Sequence, residues 1–415
     1  MMERGQALSA YIAVTAAYWA FMLSDGALRM LVLLHFHTLG FSPVQLAYLF
    51  VLYEVAGIVT NLCAGWIAAR FGLNATLYAG LVLQIAALLA LTQLDPAWSV
   101  GLSVVFVMLV QGLSGVAKDL AKMSSKSAVK LLAPKAEGAL FRWVAVLTGS
   151  KNAVKGLGFL LGSGLLGLFG FIPVVLSMAL ILAAILISLL LWMPQGLSQG
   201  RKGAKFSEVF SKNPKINWLS FARVFLFGAR DVWFVVGIPI YFYSVWSDGT
   251  KAGDQNAFFT IGIFMALWII LYGLVQANAP KLLRAKERGQ GALVRDSKYW
   301  ASGLAAVPAF LALVLYFTSV PTSTTTAILV VGLMVFGAVF AINSALHSYL
   351  ILAFTQTERV TLDVGFYYMS NAAGRLLGTV LSGLSYQLGG VWLCLAVASV
   401  MLLISALGAQ RLRSV

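Results

Sequence analysis

Long apolar runs, separated by short polar breaks, repeat along the whole chain. Each run holds roughly 18 to 28 residues, and about 20 consecutive apolar residues in a helix cross the hydrocarbon core of a bilayer. The pattern therefore predicts an all-α membrane protein with twelve transmembrane helices. The predicted spans are residues 11–34, 44–69, 73–93, 98–121, 139–166, 171–193, 216–242, 257–278, 299–318, 325–352, 362–388 and 390–409.

The longest polar connection between successive runs divides this pattern in the middle. It is the stretch 194–215, which carries five Lys and Arg residues and is expected to be a cytoplasmic linker. Six spans precede it in residues 1–193 and six follow in residues 216–415. A few residues recur between the halves at constant spacing, as a duplicated six-helix unit requires. They are Phe21, Asp25 and Phe36 with Phe227, Asp231 and Phe242, and Ser150, Lys155 and Gly158 with Ser370, Arg375 and Gly378.

Composition agrees with the membrane class. Of 415 residues, 60% are hydrophobic and 10% are charged, whereas about a quarter of a soluble domain is charged. A soluble chain of this size could not bury so much apolar surface, but a bilayer solvates it. The first apolar run is too long for a signal-peptide core and no cleavage site follows, so we expect an uncleaved helix.

The formal net charge of +15 raises the question of a nucleic-acid partner. The basic residues instead occupy short loops between the apolar runs, where the positive-inside rule places them. Twenty-one of the 29 Lys and Arg residues fall in segments on the side of both termini, and only Lys251 falls in a loop on the other side. We therefore expect no nucleic-acid partner, and both termini in the cytoplasm.

The remaining seven basic residues lie within the predicted spans, although each charge there costs about 2.5–3.5 kcal/mol on an insertion scale. Arg142 and Arg223 are near cytoplasmic ends and are expected to extend to the interface. The deeper residues indicate a polar cavity with two more positive than negative charges, and hence an anionic ligand. These deeper residues are the bases Arg29, Lys151, Lys155, Arg230 and Arg375 and the acids Asp25, Glu54 and Asp231.

The spacing of these residues along a helix indicates which of them can pair with one another. Asp25 and Arg29 are four residues apart, which allows either a self-neutralised pair or a binding role. Lys151 and Lys155 have the same spacing and like charge, so a neighbouring anion would relieve their repulsion. The adjacent residues Arg230 and Asp231 are expected to point in different directions, with one facing either the cavity or a neighbouring helix.

Four lysines at intervals of four residues run from Lys118 to Lys130. They are either an ordinary cytoplasmic charge run or an electropositive vestibule that gathers anions, and the second reading makes Lys122 and Lys126 candidate ligands. The side chain of Asn152 is a further candidate for a hydrogen bond to substrate, although hydrogen bonds between helices also explain such residues.

Other classes of protein find little support in the sequence. The two cysteines show no metal-ligand spacing, and the pair His35 and His37 could bind a metal but has no apparent third ligand, so neither a metal nor another cofactor is expected. A membrane-embedded transferase would need acids clustered near one interface, whereas the acids here are scattered. A receptor would need a sizeable ligand domain, and the longest predicted external loop, 243–256, is too short. We therefore expect a transporter and not an enzyme.

Twelve helices in two sets of six resemble the major facilitator superfamily. Its glycine-rich motif after the second helix is matched at Gly65, Arg70 and Gly72, whereas Ala69 replaces the usual aspartate. That replacement puts the conformational latch attributed to the aspartate in doubt. The resemblance implies alternating access around a central cavity lined by helices of both halves.

Two stretches resemble more closely the ArsJ-type organoarsenical efflux permeases of bacterial arsenic-resistance operons. They run from Tyr18 to Asn61, including the segment SDGALRMLVLLHFH, and from Gly115 to Gly156, including TGSKNAVKG. The resemblance implies an inner-membrane exporter of 1-arseno-3-phosphoglycerate that confers arsenate resistance. It also implies a functional partnership with the glyceraldehyde-3-phosphate dehydrogenase that makes this ester.

The resemblance supplies no binding residues, so the candidates rest on helix position and charge. The substrate-binding candidates are Arg29, Lys122, Lys126, Lys151, Asn152, Lys155, Arg230 and Arg375, and the candidate proton carriers are Asp25, Glu54 and Asp231. The alternative is export, or proton-coupled antiport, of another organic phosphate or small anion. A membrane potential alone is also sufficient, because moving one charge across 100 mV releases about 2.3 kcal/mol.

Overall fold

The computed structural model describes residues 4–71, 73–132, 139–192, 210–284, 288–318, 321–355 and 360–412. These residues form thirteen α-helices and no strand, so the prediction of an all-α protein is confirmed for this part of the chain. The helices are α1 Arg4–Thr38, α2 Pro43–Tyr48, α3 Val51–Phe71, α4 Leu73–Leu91, α5 Val100–Leu132, α6 Ala139–Phe169, α7 Phe171–Trp192, α8 Pro214–Phe234, α9 Gly237–Trp246, α10 Lys251–Leu282, α11 Gln290–Tyr316, α12 Ser323–Phe354 and α13 Val360–Arg411.

Eleven of the described segments are long and apolar enough to cross a membrane, one fewer than the twelve predicted. The difference arises in α13, which contains both of the last two predicted spans, 362–388 and 390–409. Gly390 interrupts this helix with a φ of 70°, a left-handed conformation that favours glycine. A continuous helix of 52 residues would measure about 78 Å, more than twice the thickness of a hydrocarbon core.

Two of the membrane spans are each built from two consecutive helices, α2 with α3 and α8 with α9. Side chains bind backbone hydrogen-bonding groups at the start of the first pair and at the break within the second. Ser42 begins α2 with a capping box, in which its hydroxyl accepts from the backbone of Gln45. Between α8 and α9, the backbone N–H groups of Val236 and Gly237 both donate to the hydroxyl of Ser382 on α13, each at 3.2 Å. Irregular backbone within a membrane needs such buried partners.

The helices pack in two groups. Helices α1, α3, α4, α5, α6 and α7 contact one another, as do α8, α10, α11, α12 and α13, and the groups meet where α6 packs on α10 and where α2 and α3 pack on α13. Gly158 lets α6 approach the backbone of α1 at Leu23, and Gly378 lets α13 approach the backbone of α8 at Gly228. The two glycines are one of the recurring pairs in the sequence, and both occupy close helix crossings.

Several predictions fall partly outside the described residues. Most of the linker 194–215 does, so the boundary between residues 1–193 and 216–415 stays a prediction. The side chains of Lys126, Arg70 and Arg142 also lie outside the described part of the structure. The helix α5, in contrast, continues the fourth predicted span to Leu132, and it includes the whole lysine run.

Candidate functional site

A fully buried carboxylate lies where the two groups of helices meet. It belongs to Glu54, in the first turn of α3. Its Oε1 accepts a hydrogen bond from Nη2 of Arg29 on α1 at 2.9 Å, and its Oε2 accepts one from Nη2 of Arg375 on α13. One acid thus holds two guanidinium groups that come from opposite groups of helices.

A second buried carboxylate, Asp25 on α1, lies beside this arrangement. Its Oδ2 contacts Nζ of Lys155 on α6 at 3.0 Å, and its Oδ1 accepts a hydrogen bond from the hydroxyl of Tyr53 at 2.5 Å. Because the guanidinium carbon of Arg29 also lies 5.3 Å from the ring centroid of Tyr53, both carboxylates belong to one network of side chains. We refer to Asp25, Arg29, Glu54, Lys155 and Arg375 as the central cluster.

The central cluster does not contain the self-neutralised pair that helical spacing allowed as one alternative. Asp25 and Arg29 do not neutralise each other; each contacts a residue of another helix. The cause is the tight crossing of α1 and α6, where Gly26 lies against the backbone of Lys155 and so brings the lysine side chain to Asp25. The longer side chain of Arg29 extends to α3 instead.

The other two candidates on α6, Lys151 and Asn152, lie about one turn before Lys155. Lys151 is half-buried, as is Asn152. The side chain of Asn152 faces Gly273 of α10, so it lies in the contact between the two groups of helices. The role of both residues in substrate binding stays a prediction.

The predicted charge run on α5 begins with two buried residues, Lys118, which was counted with the cytoplasmic segments, and Asp119. Lys118 is 6% exposed, and its Nζ lies 4.0 Å from the ring centroid of Tyr53 without a hydrogen-bond partner among the described residues. Asp119 is also buried and accepts a hydrogen bond from the hydroxyl of Thr60 at 2.7 Å. The available signal was the four-residue lysine spacing, which continues the helical period of the preceding span.

Lys122 lies one turn further along α5, where it is partly buried. Its Nζ donates to Oδ1 of Asn61 at 2.7 Å and contacts Oδ1 of Asp119 at 3.4 Å. The same ammonium group lies 5.0 Å from the ring centroid of Tyr368 on α13. Lys122 thus joins helices of the two groups, as Arg375 does.

Two further expectations about basic residues are wrong. Arg230 and Asp231 do not point apart; Nε of Arg230 contacts Oδ1 of Asp231 at 2.5 Å, because the long arginine side chain folds back along α8. Arg223 does not extend to the membrane interface. It is 3% exposed, and its Nη1 donates to the backbone oxygen of Ser344 on α12 at 3.1 Å.

The charges in this buried region remain unbalanced in favour of anion binding. In the contacts described above, seven bases face four acids, and Asp363 at the start of α13 is a further buried acid that accepts a hydrogen bond from Thr355. The bases are Arg29, Lys118, Lys122, Lys155, Arg223, Arg230 and Arg375, and the acids are Asp25, Glu54, Asp119 and Asp231. The described residues contain no group of three or more His, Cys, Asp or Glu residues that could hold a metal ion.

The pair formed by Asp25 and Lys155 allows a test that separates stability from ligand binding. Lys155→Gln leaves a buried carboxylate without its ammonium partner, so we expect a loss of roughly 3–5 kcal/mol in stability. The double variant Asp25→Asn/Lys155→Gln removes both charges and should regain most of that stability, measured by thermal unfolding. Transport should stay low in the double variant if Lys155 contacts substrate; full recovery of transport would make the pair purely structural.

The long apolar helices around a charged centre define a polytopic membrane protein, and the family match below makes it a transporter for small molecules rather than an enzyme. The family model described as Major Facilitator Superfamily matches residues 12–348. The chain therefore belongs to this superfamily. A search of curated proteins finds no match to the chain.

Solved structures share the fold at low sequence identity. A POT family transporter in complex with 5-aminolevulinic acid is 16% identical, with a TM-score of 0.69, over 96% of this chain and 95% of its own. The nucleoside transporter NupG is 15% identical, with a TM-score of 0.70, over 97% of this chain and 98% of its own. At these identities the similarity concerns the fold and not the ligand.

Proposed function

We propose that the protein exports an organic oxyanion, 1-arseno-3-phosphoglycerate, and thereby confers resistance to arsenate. Transport follows alternating access between halves formed by residues 1–193 and 216–415, with α13 counted as two of twelve spans. The observation that carries the proposal is the carboxylate of Glu54, held by Arg29 and Arg375 from opposite groups of helices. The resemblance to organoarsenical permeases supplies the identity of the substrate.

In the empty transporter, Glu54 serves as the counter-ion that an incoming oxyanion replaces. Phosphate and arsenate esters accept paired hydrogen bonds from guanidinium groups with the same geometry as a carboxylate. Two buried donors beside Glu54 have no hydrogen-bond partner among the described residues: Nε of Arg375 and Nζ of Lys118. A ligand with more oxygen atoms than a carboxylate satisfies these donors as well, which favours the exchange.

Electrostatics favours a uniport driven by the membrane potential over proton antiport. An oxyanion and a proton have opposite charges, so within one buried cluster each favours the binding of the other. Antiport requires the opposite relation, in which each ligand excludes the other. Export of a trianion from a negative-inside cell releases roughly 7 kcal/mol at 100 mV, which is sufficient without a proton gradient.

The proposed setting is the bacterial inner membrane, with both termini in the cytoplasm. The substrate reaches the transporter from a glyceraldehyde-3-phosphate dehydrogenase that uses arsenate in place of phosphate. The ester hydrolyses after export and releases arsenate outside the cell. The charge distribution among the loops supports the orientation.

Transport into everted membrane vesicles tests this proposal. The dehydrogenase, its substrate, its nucleotide and arsenate are supplied outside the vesicles, and arsenic retained inside is measured. We expect accumulation that requires the active dehydrogenase and an interior-positive potential but no pH gradient. Asp296→Asn, which breaks an ion pair with Arg288 at the periphery, is the matched control and should transport normally. Accumulation of free arsenate without the dehydrogenase would contradict the proposal.

A second candidate function is the export of another organic phosphate. It is favoured because every donor in the central cluster is an ammonium or guanidinium group, and these donors bind phosphate and arsenate oxygens alike. Everted vesicles supplied with radiolabelled 3-phosphoglycerate separate the two candidates. Uptake of this compound, together with no accumulation of arsenic, would establish the second.

A further inference from the structure

A buried arginine lies apart from the central cluster without an acidic partner. Arg223 on α8 contacts no carboxylate among the described residues. Its guanidinium carbon lies 3.9 Å from the ring centroid of Phe227 and 4.8 Å from that of Tyr367, and its Nε has no hydrogen-bond partner. Aromatic rings and one backbone oxygen stabilise part of this charge, but no carboxylate in the described part of the chain compensates it.

The side chains around Arg223 also have unused hydrogen-bonding groups. On α12, His347 lies near Arg223, and Asn343 lies one turn earlier on the same helix face. Among the described residues, neither the ring nitrogens of His347 nor the amide atoms of Asn343 have a hydrogen-bond partner, although both residues are fully buried. The buried hydroxyl of Tyr367 on α13 lies beside Ser348 of α12. Buried polar groups are nearly always paired, and leaving one unpaired costs roughly 1–3 kcal/mol. A concentration of such groups around one uncompensated cation is typical of a site that a polar anion completes.

Arg223 also lies close to the basic residues nearer the middle of the membrane. The guanidinium carbons of Arg223 and Arg230 lie 3.9 and 5.0 Å from the same ring centroid, that of Phe227. The two carbons are therefore less than about 9 Å apart. That separation suits a three-carbon compound with an oxyanion at each end, because each guanidinium group binds an oxyanion at its own edge.

We propose that Arg223, with Asn343, His347 and Tyr367, forms a second oxyanion subsite within the C-terminal group of helices. It takes the phosphate or carboxylate at one end of a two-ended substrate, while the other end occupies the bases nearer Glu54. This inference rests on the proposed transport of an organic oxyanion, but it does not depend on arsenic. The four residues come from α8, α12 and α13, so the subsite changes shape whenever these helices move relative to one another.

Binding of one-ended and two-ended anions to the purified protein tests the subsite. Inorganic phosphate serves as the one-ended probe and 3-phosphoglycerate as the two-ended probe, with affinities from titration calorimetry. Hydrogen bonds to a charged group contribute roughly 1.5–3 kcal/mol. We therefore expect Arg223→Gln to weaken 3-phosphoglycerate binding about 10-fold or more, and to change phosphate binding less than about 2-fold. Lys212→Gln, at an exposed base before α8, should change neither affinity.

Two further variants address folding, since Arg223 also joins α8 to α12. Arg223→Lys keeps a buried cation, and Asn343→Leu removes only the unpaired amide. Both variants should weaken the binding of 3-phosphoglycerate more than the binding of phosphate. An equal loss of affinity for both probes in the Arg223 and Asn343 variants would assign a structural role instead. No preference of the unmodified protein for 3-phosphoglycerate over phosphate would also overturn the subsite, even if arsenical export is observed. Conversely, selective loss without arsenical export would leave the subsite intact and reject arsenic as cargo.

Discussion

Replacing Glu54 by glutamine is expected to abolish net export and, at the same time, to tighten anion binding. The amide has nearly the shape of the carboxylate but no charge, so Arg29 and Arg375 lose their shared counter-ion. An oxyanion then binds without having to displace a carboxylate. Once it leaves, however, two uncompensated guanidinium groups oppose the return of the empty transporter. Export should therefore fall about 100-fold or more, which corresponds to a barrier raised by roughly 3 kcal/mol.

Thermal unfolding provides a second readout of the same change. Removing one partner of a buried ion pair costs roughly 3–5 kcal/mol, so the empty Glu54→Gln protein should melt at a markedly lower temperature. Inorganic phosphate should restore more of that stability than it adds to the unmodified protein, because it replaces the missing charge. Glu54→Asp keeps the charge and is the matched control. Normal export by Glu54→Gln, or a melting temperature that phosphate does not raise, would contradict the role of Glu54 as counter-ion.

The elements of the fold followed from hydrophobic pattern, whereas the partners within the site did not. Runs of apolar residues located the helices because burial in a bilayer depends on composition over about 20 residues. Ion pairing depends instead on where helices cross. Asp25 contacts Lys155 because Gly26 and Gly158 bring α1 and α6 together, and nothing in the spacing of Asp25 and Arg29 signals that crossing.

Two buried bases whose positions were predicted wrongly, Lys118 and Arg223, show the same limit of sequence analysis. Lys118 was counted with the cytoplasmic charge run and Arg223 with the membrane interface, because charge usually marks the end of a span. Lys118 instead packs on Tyr53 of α3, and Arg223 packs on Phe227 of its own helix and on Tyr367 of α13. The contacts with Tyr53 and Tyr367 join residues far apart in the chain, and a single sequence carries no record of them.

The weak internal repeat explains why Arg375, and not Lys155, pairs with an acid of the other half. Lys155 and Arg375 occupy corresponding positions, yet Lys155 contacts Asp25 of its own half, whereas Arg375 contacts Glu54 of the other. The residue that corresponds to Asp25 is Asp231, and Arg230 already contacts it. Arg375 instead pairs with an acid of the other group of helices. Among the described residues, this departure from symmetry makes Arg375 the base of the central cluster that links the two groups.

Arg375→Gln is consequently expected to abolish export and to weaken the binding of one-ended and two-ended anions alike. The variant removes a guanidinium group that a substrate oxyanion needs, and it leaves Glu54 held by Arg29 alone. We expect phosphate and 3-phosphoglycerate to lose affinity by about 10-fold or more each, in contrast to the selective loss at Arg223. Export into everted vesicles should fall by about 100-fold, as for Glu54→Gln.

The conservative variant Arg375→Lys separates the charge of this residue from its geometry. An ammonium group retains the positive charge but cannot make two parallel hydrogen bonds to one oxyanion. We expect the anion affinity of Arg375→Lys to lie between that of Arg375→Gln and that of the unmodified protein. Export should still be reduced, because the link to Glu54 across the halves is lost or weakened. Arg295→Gln, at an exposed base on α11, is the control for a change of net charge alone. If Arg375→Gln exported normally while Arg295→Gln did not, long-range attraction of the anion, and not exchange at Glu54, would drive transport.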